Sequence, residues 1–407
     1  MLKTIFFFVL LALACSNTFS RELQQPRMVI FDSIINEYAK KIQSDIKADN
    51  LGGSISIAVV HRDKILWSKA FGYSNKKDSI PADTATIYRI GSISKSFAAF
   101  LLMQLVEKGV LKLNDPVELY LPEVKKLKGY NARNKITLLE LATHTSGLER
   151  EPELPDAASG PIDHWEDKVL ESIPATAIKT RPGKKFSYSN IGYAILGLAL
   201  SRAANKPFIT LIEENIFVPL QMTNSYFVIP KEKTRELAQG IGNGRSGKID
   251  METPEREQLG RGYKVPNGGI YSTPNDLLKF TMANMGFSAL LTPKDLAFMQ
   301  TGKVSMLSFF AKSGLERISL FLSRSDRNQV RFIINGRYGL GLVIHRFRNV
   351  NIVEHSGSID GYLAQLSFDK DSKYGVVLLR NYNNGKTDLG ASAYALLQKL
   401  KSLTNQE

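Results

Sequence analysis

Apolar residues recur near helical spacing from Met28 to Lys47, at Ile30, Ile34, Ile35, Tyr38, Ile42 and Ile46, which predicts an amphipathic helix. Two strand-like runs follow, Ser54 to Val60 and Ile65 to Phe71, and the polar link His61-Arg62-Asp63-Lys64 makes them a hairpin. From Ser92 to about Phe280 helical patterns dominate: Lys95 to Lys108, Leu138 to Thr143, Ile191 to Ala204 and Phe208 to Ile216, joined by Pro/Gly-rich loops. Strand-like runs return at Tyr338 to His345, Asn351 to His355, Leu363 to Phe368 and Tyr374 to Leu379, and a helix is expected from Leu389 to Leu403. Strands at both ends with helices between predict an α/β (α+β) fold, in which an antiparallel sheet built from both chain ends is flanked by terminal helices. The expected organisation is a discontinuous sheet domain at 28–91 and 336–405, a mainly helical domain inserted at 92–300, and a poorly patterned insertion at 301–335.

The first 20 residues read differently. A basic start at Lys3, an apolar run from Ile5 to Ala14 and small polar residues up to Ser20 fit a secretory signal peptide, since the run is only about half of a membrane span. Cys15 follows Ala12-Leu13-Ala14, which suits a small-x-small cleavage site and also loosely resembles a bacterial lipobox with a lipid-anchoring cysteine. The mature protein is therefore expected to be periplasmic or secreted, or attached to the membrane as a lipoprotein.

Composition narrows the chemistry. The 407 residues are 43% hydrophobic and 23% charged, an ordinary globular balance that excludes disorder, collagen and coiled coil. With one cysteine there is no intramolecular disulfide framework and no Cys-rich zinc site, and none of the five histidines has the spacing of a helical zinc pair. No metal and no cofactor is expected. The net charge of +14 is spread along the chain in small clusters such as Lys125-Lys126 and Lys184-Lys185, so a basic surface explains it and nucleic acid is not an expected partner.

Two familiar motifs fail on inspection. Gly242-Asn-Gly-Arg-Ser-Gly247-Lys248 approaches a phosphate-binding loop, but Ile249 replaces the magnesium-holding Ser or Thr and Pro254 soon follows. The Gly-x-Ser-x-Gly elbow of α/β-hydrolases is absent from the sequence. Ser-x-x-Lys occurs four times, at Ser44/Lys47, Ser74/Lys77, Ser92/Lys95 and Ser367/Lys370, and context separates them. Only Ser92 stands where a strand-like run ends and an apolar helix begins, with Lys95 about one turn later on the same face. The positive helix end favours an anionic nucleophile there, and burial would lower the lysine pKa, giving a weak alcohol a neighbouring base.

Two further elements could complete such a site. Phe186-Ser-Tyr188-Ser-Asn190 enters a Gly-rich helix; a tyrosine can shuttle a proton and an asparagine can donate to a substrate carbonyl. Glu354-His355-Ser356-Gly357-Ser358 ends a strand-like run, where Gly357 would let substrate lie close to the strand edge and His355 could bond substrate or hold the tyrosine.

Together the elements resemble the serine β-lactamase and penicillin-binding protein superfamily, specifically its class C-like branch of β-lactamase-related serine hydrolases. The likeness runs from Leu51 to Leu379 and includes Tyr88-Arg-Ile-Gly-Ser-Ile-Ser-Lys-Ser-Phe97, Leu113-Asn-Asp-Pro-Val117 with Tyr120-Leu-Pro122, and Ile136-Thr-Leu-Leu-Glu-Leu-Ala-Thr-His-Thr-Ser-Gly-Leu148. It continues through Pro182-Gly183, Phe186 to Asn190, Gly268-Gly-Ile-Tyr-Ser-Thr-Pro-Asn-Asp-Leu277 and Tyr338-Gly-Leu-Gly-Leu342.

The resemblance implies a β-lactamase/transpeptidase-like fold, with Ser92 as nucleophile, Lys95 as the group that deprotonates it and Tyr188 as the relay to the leaving group. It implies that Asn190 positions the substrate amide and that the backbone N–H groups of Ser92 and Ser358 form an oxyanion hole. The implied function is a serine hydrolase working through an acyl-enzyme on a β-lactam, a D-amino-acid peptide or a small ester, with a small-molecule or peptide substrate, peptidoglycan-derived among the candidates, as partner. A penicillin-binding or ligand-sensing protein with slow or no turnover is the other implied class. His355-Ser356-Gly357 stands where class C β-lactamases have Lys-Thr-Gly, which resembles the esterases and D-aminopeptidases of the branch and counts against efficient β-lactam hydrolysis. His144, in Thr143-His-Thr-Ser-Gly147, belongs to a turn that the family uses structurally.

Overall fold

The computed structural model describes residues 28–243, 248–306 and 336–404. The signal peptide, Cys15, the centre of the phosphate-loop-like segment and most of 301–335 lie outside the described residues.

The chain opens with helix α1 at residues 28–49, buried at Ile35 and Ile42. It is followed by strands β1 (Ser54–His61), β2 (Lys64–Asn75) and the short β3 (Ile80–Pro81). The hairpin turns where Arg62 takes a left-handed conformation, φ +57°. The C-terminal part supplies β4 (Val304–Ser305), β5 (Arg337–Tyr338), β6 (Val343–Phe347), β7 (Val350–Ile359), β8 (Tyr362–Asp369) and β9 (Tyr374–Arg380), then helix α6 (Leu389–Lys401). All nine join in one antiparallel sheet of order β3-β2-β1-β9-β8-β7-β6-β5-β4. The first and last parts of the chain meet along β1 and β9, paired from Ile55 with Arg380 to His61 with Tyr374.

Strand alternation sorts the central strands between two cores. Ile55, Ile57 and Val59 of β1, with Val376 and Leu378 of β9, face α1 and α6; Ala58, Val60, Val377 and Leu379 face the helical part. Both faces being covered explains why these strands read as continuous apolar runs.

Four helices of the intervening region matter for the site: α2 (Ser94–Glu107), α3 (Leu138–Ala142), α4 (Asn190–Ala203) and α5 (Pro274–Asn284). Side chains close the N-termini of α3, α4 and α5. Thr137 and Glu140 form a reciprocal capping box on α3, Ser189 accepts from the Gly192 N–H on α4, and Thr273 accepts from the Asp276 N–H on α5. Helix α2 is buried from Ser94 to Leu105, so it runs through the core and not along the surface. Phe97 stacks on Phe280 of α5 with ring centroids 3.7 Å apart.

Two elements depart from the sequence expectation. The single strand expected from Tyr338 to His345 is split into β5 and β6, because Gly341, at φ +63°, presses onto α2 and the Ser96 hydroxyl donates to its carbonyl at 2.6 Å. A Cβ at Gly341 would stand 2.6 Å from that of Ala99, so side-chain-free backbone makes the contact possible. The helix expected from Phe208 to Ile216 is α-helical only over Phe208–Ile212 and widens into a π turn at Glu213–Phe217.

Phe97→Ala is expected to lower stability by about 3–5 kcal/mol, as for a large-to-small change in a packed core. Leu119→Ala, 64% exposed, should stay within about 0.5 kcal/mol. Equilibrium denaturant unfolding of both variants checks the contrast.

Candidate active site

Ser92 sits on a single 3-10 turn, Gly91–Ile93, that delivers the chain into α2. The turn needs the left-handed conformation of Gly91, φ +51°, and a Cβ there would approach the Ser358 nitrogen to 3.1 Å. One helical turn beyond, Lys95 is fully buried and its Nζ donates to Ser92 Oγ and to the Asn267 carbonyl, both at 3.0 Å. Burial pulls the ammonium well below its ordinary pKa, and the charges of Arg150, Lys264 and Arg261 add to that while Glu151 opposes it. The base and nucleophile are thus hydrogen-bonded inside the protein, with the base biased toward its neutral form.

Tyr188 arrives from the loop before α4. Its hydroxyl and that of Ser92 hydrogen-bond one another, and its ring lies under the Lys95 ammonium, 4.9 Å from Nζ to the centroid. Burial pushes the phenol up to about 12, against the opposing effects of the Ser92 hydrogen bond and the Arg150 charge. It is therefore protonated at neutral pH. The Arg150 guanidinium lies 5.0 Å from the same ring centroid.

Asn190, the first residue of α4, is buried beside this group. Its Nδ2 donates to Glu151 Oε1 at 2.5 Å, and its carbonyl accepts from Asn267 Nδ2 at 3.1 Å. Asn267 therefore ties Asn190 to Lys95 through its side chain and its main chain.

Strand β7 closes the site. Its pairing with β6 ends at Glu354, whereas pairing with β8 continues to Ile359, so His355 to Ile359 present an edge that β6 leaves open. Gly357 packs this edge against the nucleophile turn: a Cβ there would stand 1.9 Å from the Ile90 carbonyl oxygen and 3.2 Å from the Ser92 nitrogen. The main-chain nitrogens of Ser92 and Ser358 consequently flank one narrow seam.

His355, buried on the same strand, donates from Nδ1 to the Ser356 carbonyl at 2.7 Å, which leaves Nε2 to accept from the Tyr338 hydroxyl at 3.2 Å. Burial and the Lys95 charge lower it to about 4, so it is a neutral imidazole at pH 7.

His144 is fully buried beneath the site at φ +58°. Its Nδ1 accepts from the Ser189 N–H at 3.1 Å and its ring packs 4.2 Å from that of Tyr188, among Tyr193 and Tyr338. It supports the tyrosine without a bond to Ser92 or Lys95.

The structure brings Ser92, Lys95 and Tyr188 to one point, with Asn190 beside them and His355, Gly357 and Ser358 on the facing strand. Sequence reading had not found Asn267, Glu151 or Arg150. Asn267 acts through its carbonyl, which no residue type advertises, although it directly precedes the Gly268-Gly269 motif. Glu151, which also accepts from the Tyr263 hydroxyl and pairs with Lys264 at 3.5 Å, lies in a loop with no periodic signal.

Comparison with known proteins bears on the family and the fold. A family model described as Beta-lactamase matches residues 46–401. Beta-lactamase-like protein 2 of Dictyostelium discoideum is 33% identical over 259 residues, 62% of this chain and 46% of that protein. The D-alanyl-D-alanine-carboxypeptidase/endopeptidase AmpH of Escherichia coli is 30% identical over 214 residues, 52% of each chain. The chain spans about half the length of these two curated relatives in the matched regions. Among solved structures, a beta-lactamase/D-alanine carboxypeptidase from Yersinia pestis superposes with a TM-score of 0.69 at 24% identity, covering 93% of this chain and 99% of that one.

Because Ser358 contributes its main chain while its side chain is exposed, Ser358→Ala should leave the melting temperature unchanged. Gly357→Ala forces a Cβ into backbone and should cost about 1–3 kcal/mol. Thermal melts of the two neighbours separate the effects.

Proposed function

The chain belongs to the beta-lactamase family, and we propose that within it the protein is a serine hydrolase that cleaves an amide or ester through an acyl-enzyme. The observation that carries this reading is the Lys95 Nζ to Ser92 Oγ hydrogen bond in a fully buried setting. A lysine held toward its neutral form accepts the hydroxyl proton as Ser92 Oγ attacks the substrate carbonyl. Negative charge developing on the carbonyl oxygen is met by the N–H groups of Ser92 and Ser358, which the Gly91 and Gly357 contacts hold in place. Tyr188, protonated and within reach of Ser92, passes a proton to the leaving amine or alcohol and takes one back from the Lys95 ammonium over its ring, so the serine proton ends on the leaving group and Lys95 is neutral again. Water then attacks the Ser92 ester, and the acid product leaves. Asn190 orients the substrate amide.

His355 bears on substrate choice. A neutral imidazole whose two nitrogens are engaged by Ser356 and Tyr338 brings no positive charge to pair with a substrate carboxylate. This favours small esters and peptides whose reactive end carries no carboxylate at that point, over the carboxylate of a β-lactam. The similarity to a D-alanyl-D-alanine carboxypeptidase/endopeptidase keeps D-amino-acid peptides in the substrate class. Export through residues 1–20 to the envelope or outside the cell is part of the same proposal.

The test is intact mass after incubation with fluorophosphonate, activated-ester, penicillin and cephalosporin probes. The expected result is an adduct on the wild type and none on Ser92→Ala, with ester and fluorophosphonate labelling faster than β-lactam labelling. Lys95→Ala should slow ester acylation by about 10²–10⁴-fold, whereas Ser44→Ala and Ser74→Ala should be silent. An adduct that persists for hours with every carbonyl probe would instead favour a slow-turnover binding protein. Unchanged labelling of Ser92→Ala would overturn the assignment of the nucleophile.

A further inference from the structure

His144 departs from two local rules at once. It follows helix α3, which ends in a Schellman arrangement: the His144 N–H donates to the Leu141 carbonyl at 3.3 Å and the Thr145 N–H to the Glu140 carbonyl at 2.8 Å. The chain must turn left-handed at that point, a place that usually belongs to glycine, and His144 occupies it at φ +58°. Its ring is fully buried, and its Nε2 meets no nitrogen or oxygen acceptor among the described residues. A strained backbone and a buried N–H without an acceptor are both costly, so a histidine held there points to work that glycine or an apolar residue could not do.

That work shows in its contacts with the segment that carries Tyr188. The Ser187 N–H donates to the His144 carbonyl at 2.7 Å, and the Ser189 N–H donates to His144 Nδ1 at 3.1 Å. Ser187 and Ser189 stand immediately before and after Tyr188, so one residue grips the segment on either side of the tyrosine. The imidazole then packs on the Tyr188 ring itself, with centroids 4.2 Å apart and planes tilted by 32°. Two contacts to main chain and one to the ring thus fix where the Tyr188 hydroxyl meets that of Ser92. Ser189 is anchored in turn through its own hydroxyl, which donates to the Glu149 carbonyl at 2.7 Å and accepts from the Gly192 N–H at 2.9 Å.

The ionisation of the imidazole suits this grip. An Nδ1 that accepts a main-chain N–H carries no proton, so the neutral ring has its hydrogen on Nε2. A proton on Nδ1 would set two donors against each other and release Ser189. Burial first, then the charges of Lys95, His355 and Arg150, hold His144 well below its ordinary pKa and so in the accepting form. The Tyr188 ring already has Lys95 Nζ and the Arg150 guanidinium 4.9 and 5.0 Å from its centroid, so a third cation beside it would be repelled.

We propose that His144 is a positioning residue for proton delivery: its Nδ1 and its main-chain carbonyl clamp Ser189 and Ser187 so that the Tyr188 hydroxyl is held where the leaving group departs. This rests on the hydrolase reading above, in which the Tyr188 proton moves to the leaving oxygen or nitrogen as its bond to the carbonyl carbon breaks and the Lys95 ammonium restores it. His144 itself bonds neither Ser92 nor Lys95. Its effect grows with the basicity of the leaving group, because an anion that is stable in water departs without the proton and an alkoxide does not.

The test is kcat/KM of the full chain for para-nitrophenyl, phenyl and ethyl esters of one acyl group. Tyr188→Phe removes the proton and sets the reference: it should lose about 10²-fold more on the ethyl than on the para-nitrophenyl ester. Glycine and asparagine both suit the left-handed turn at residue 144, and only asparagine offers an oxygen close to the place of Nδ1. His144→Gly is expected to lose about tenfold or more on the ethyl relative to the para-nitrophenyl ester, and His144→Asn to stay within about threefold of the wild-type ratio. Losses equal across the three esters, or the same leaving-group dependence in both His144 variants, would overturn the clamp, since a damaged fold lowers all three esters alike. A measurement that needs neither variant nor substrate covers a His144→Gly that fails to fold. Nuclear magnetic resonance of isotope-labelled histidine should show His144 neutral at pH 7 with its hydrogen on Nε2, and a hydrogen on Nδ1 would overturn the clamp. A Tyr188→Phe variant without leaving-group dependence, or fluorophosphonate that fails to label Ser92, would remove the hydrolase reading and the clamp's role with it, whereas a steep dependence in Tyr188→Phe and none in His144→Gly would remove the clamp alone.

Discussion

The placement of one ammonium group inside the protein governs the rest of the structure around it. Lys95 is fully buried and its two hydrogen-bond partners, Ser92 Oγ and the Asn267 carbonyl, are uncharged. Burying a charge without a counter-ion costs several kcal/mol even after relaxation, so the group sheds that cost by giving up its proton more easily. The cationic neighbours Arg150, Lys264 and Arg261 push in the same direction. A residue that would otherwise be a liability in the core becomes a base beside an alcohol.

Everything needed to keep Lys95 there is structural. Helix α2 must run through the core, which requires apolar residues on all sides and explains why Phe97 to Leu105 shows no polar face. The sheet must bring β7 against the turn that begins this helix, which requires glycine at both Gly91 and Gly357, since a Cβ at Gly357 would stand 1.9 Å from backbone. The strand must also lose its β6 partner at Glu354 to leave an edge free. The same strand carries His355, which burial first, and proximity to Lys95 second, bias toward the neutral imidazole. Position and protonation state are thus set together.

Much of this was legible in the sequence because it is local. The Ser92/Lys95 spacing is fixed by helix geometry, the Tyr188-Ser189-Asn190 turn by the capping serine, and the antiparallel sheet from both chain ends by the strand runs on either side of the helices. The resemblance to the β-lactamase-related hydrolases linked those pieces, and the family match over residues 46–401 bears out that part of the reading. What stayed hidden depends on tertiary placement. Asn267 matters through a main-chain oxygen, and Glu151 through reach from an irregular loop. The break between β5 and β6 was missed for the same reason: it is imposed by contact of Gly341 with α2, which no pattern within residues 338–345 reveals.

The most direct test of this account is the ionisation of Lys95 itself. Nuclear magnetic resonance of protein carrying isotope-labelled lysine, assigned by comparison with Lys95→Arg, would follow its side chain across a pH titration. The account predicts that Lys95 loses its proton well below the ordinary lysine value of 10.5, apart from the surface lysines. Titration of Lys95 together with the surface lysines would contradict it, because a charged lysine at neutral pH could not take the Ser92 proton.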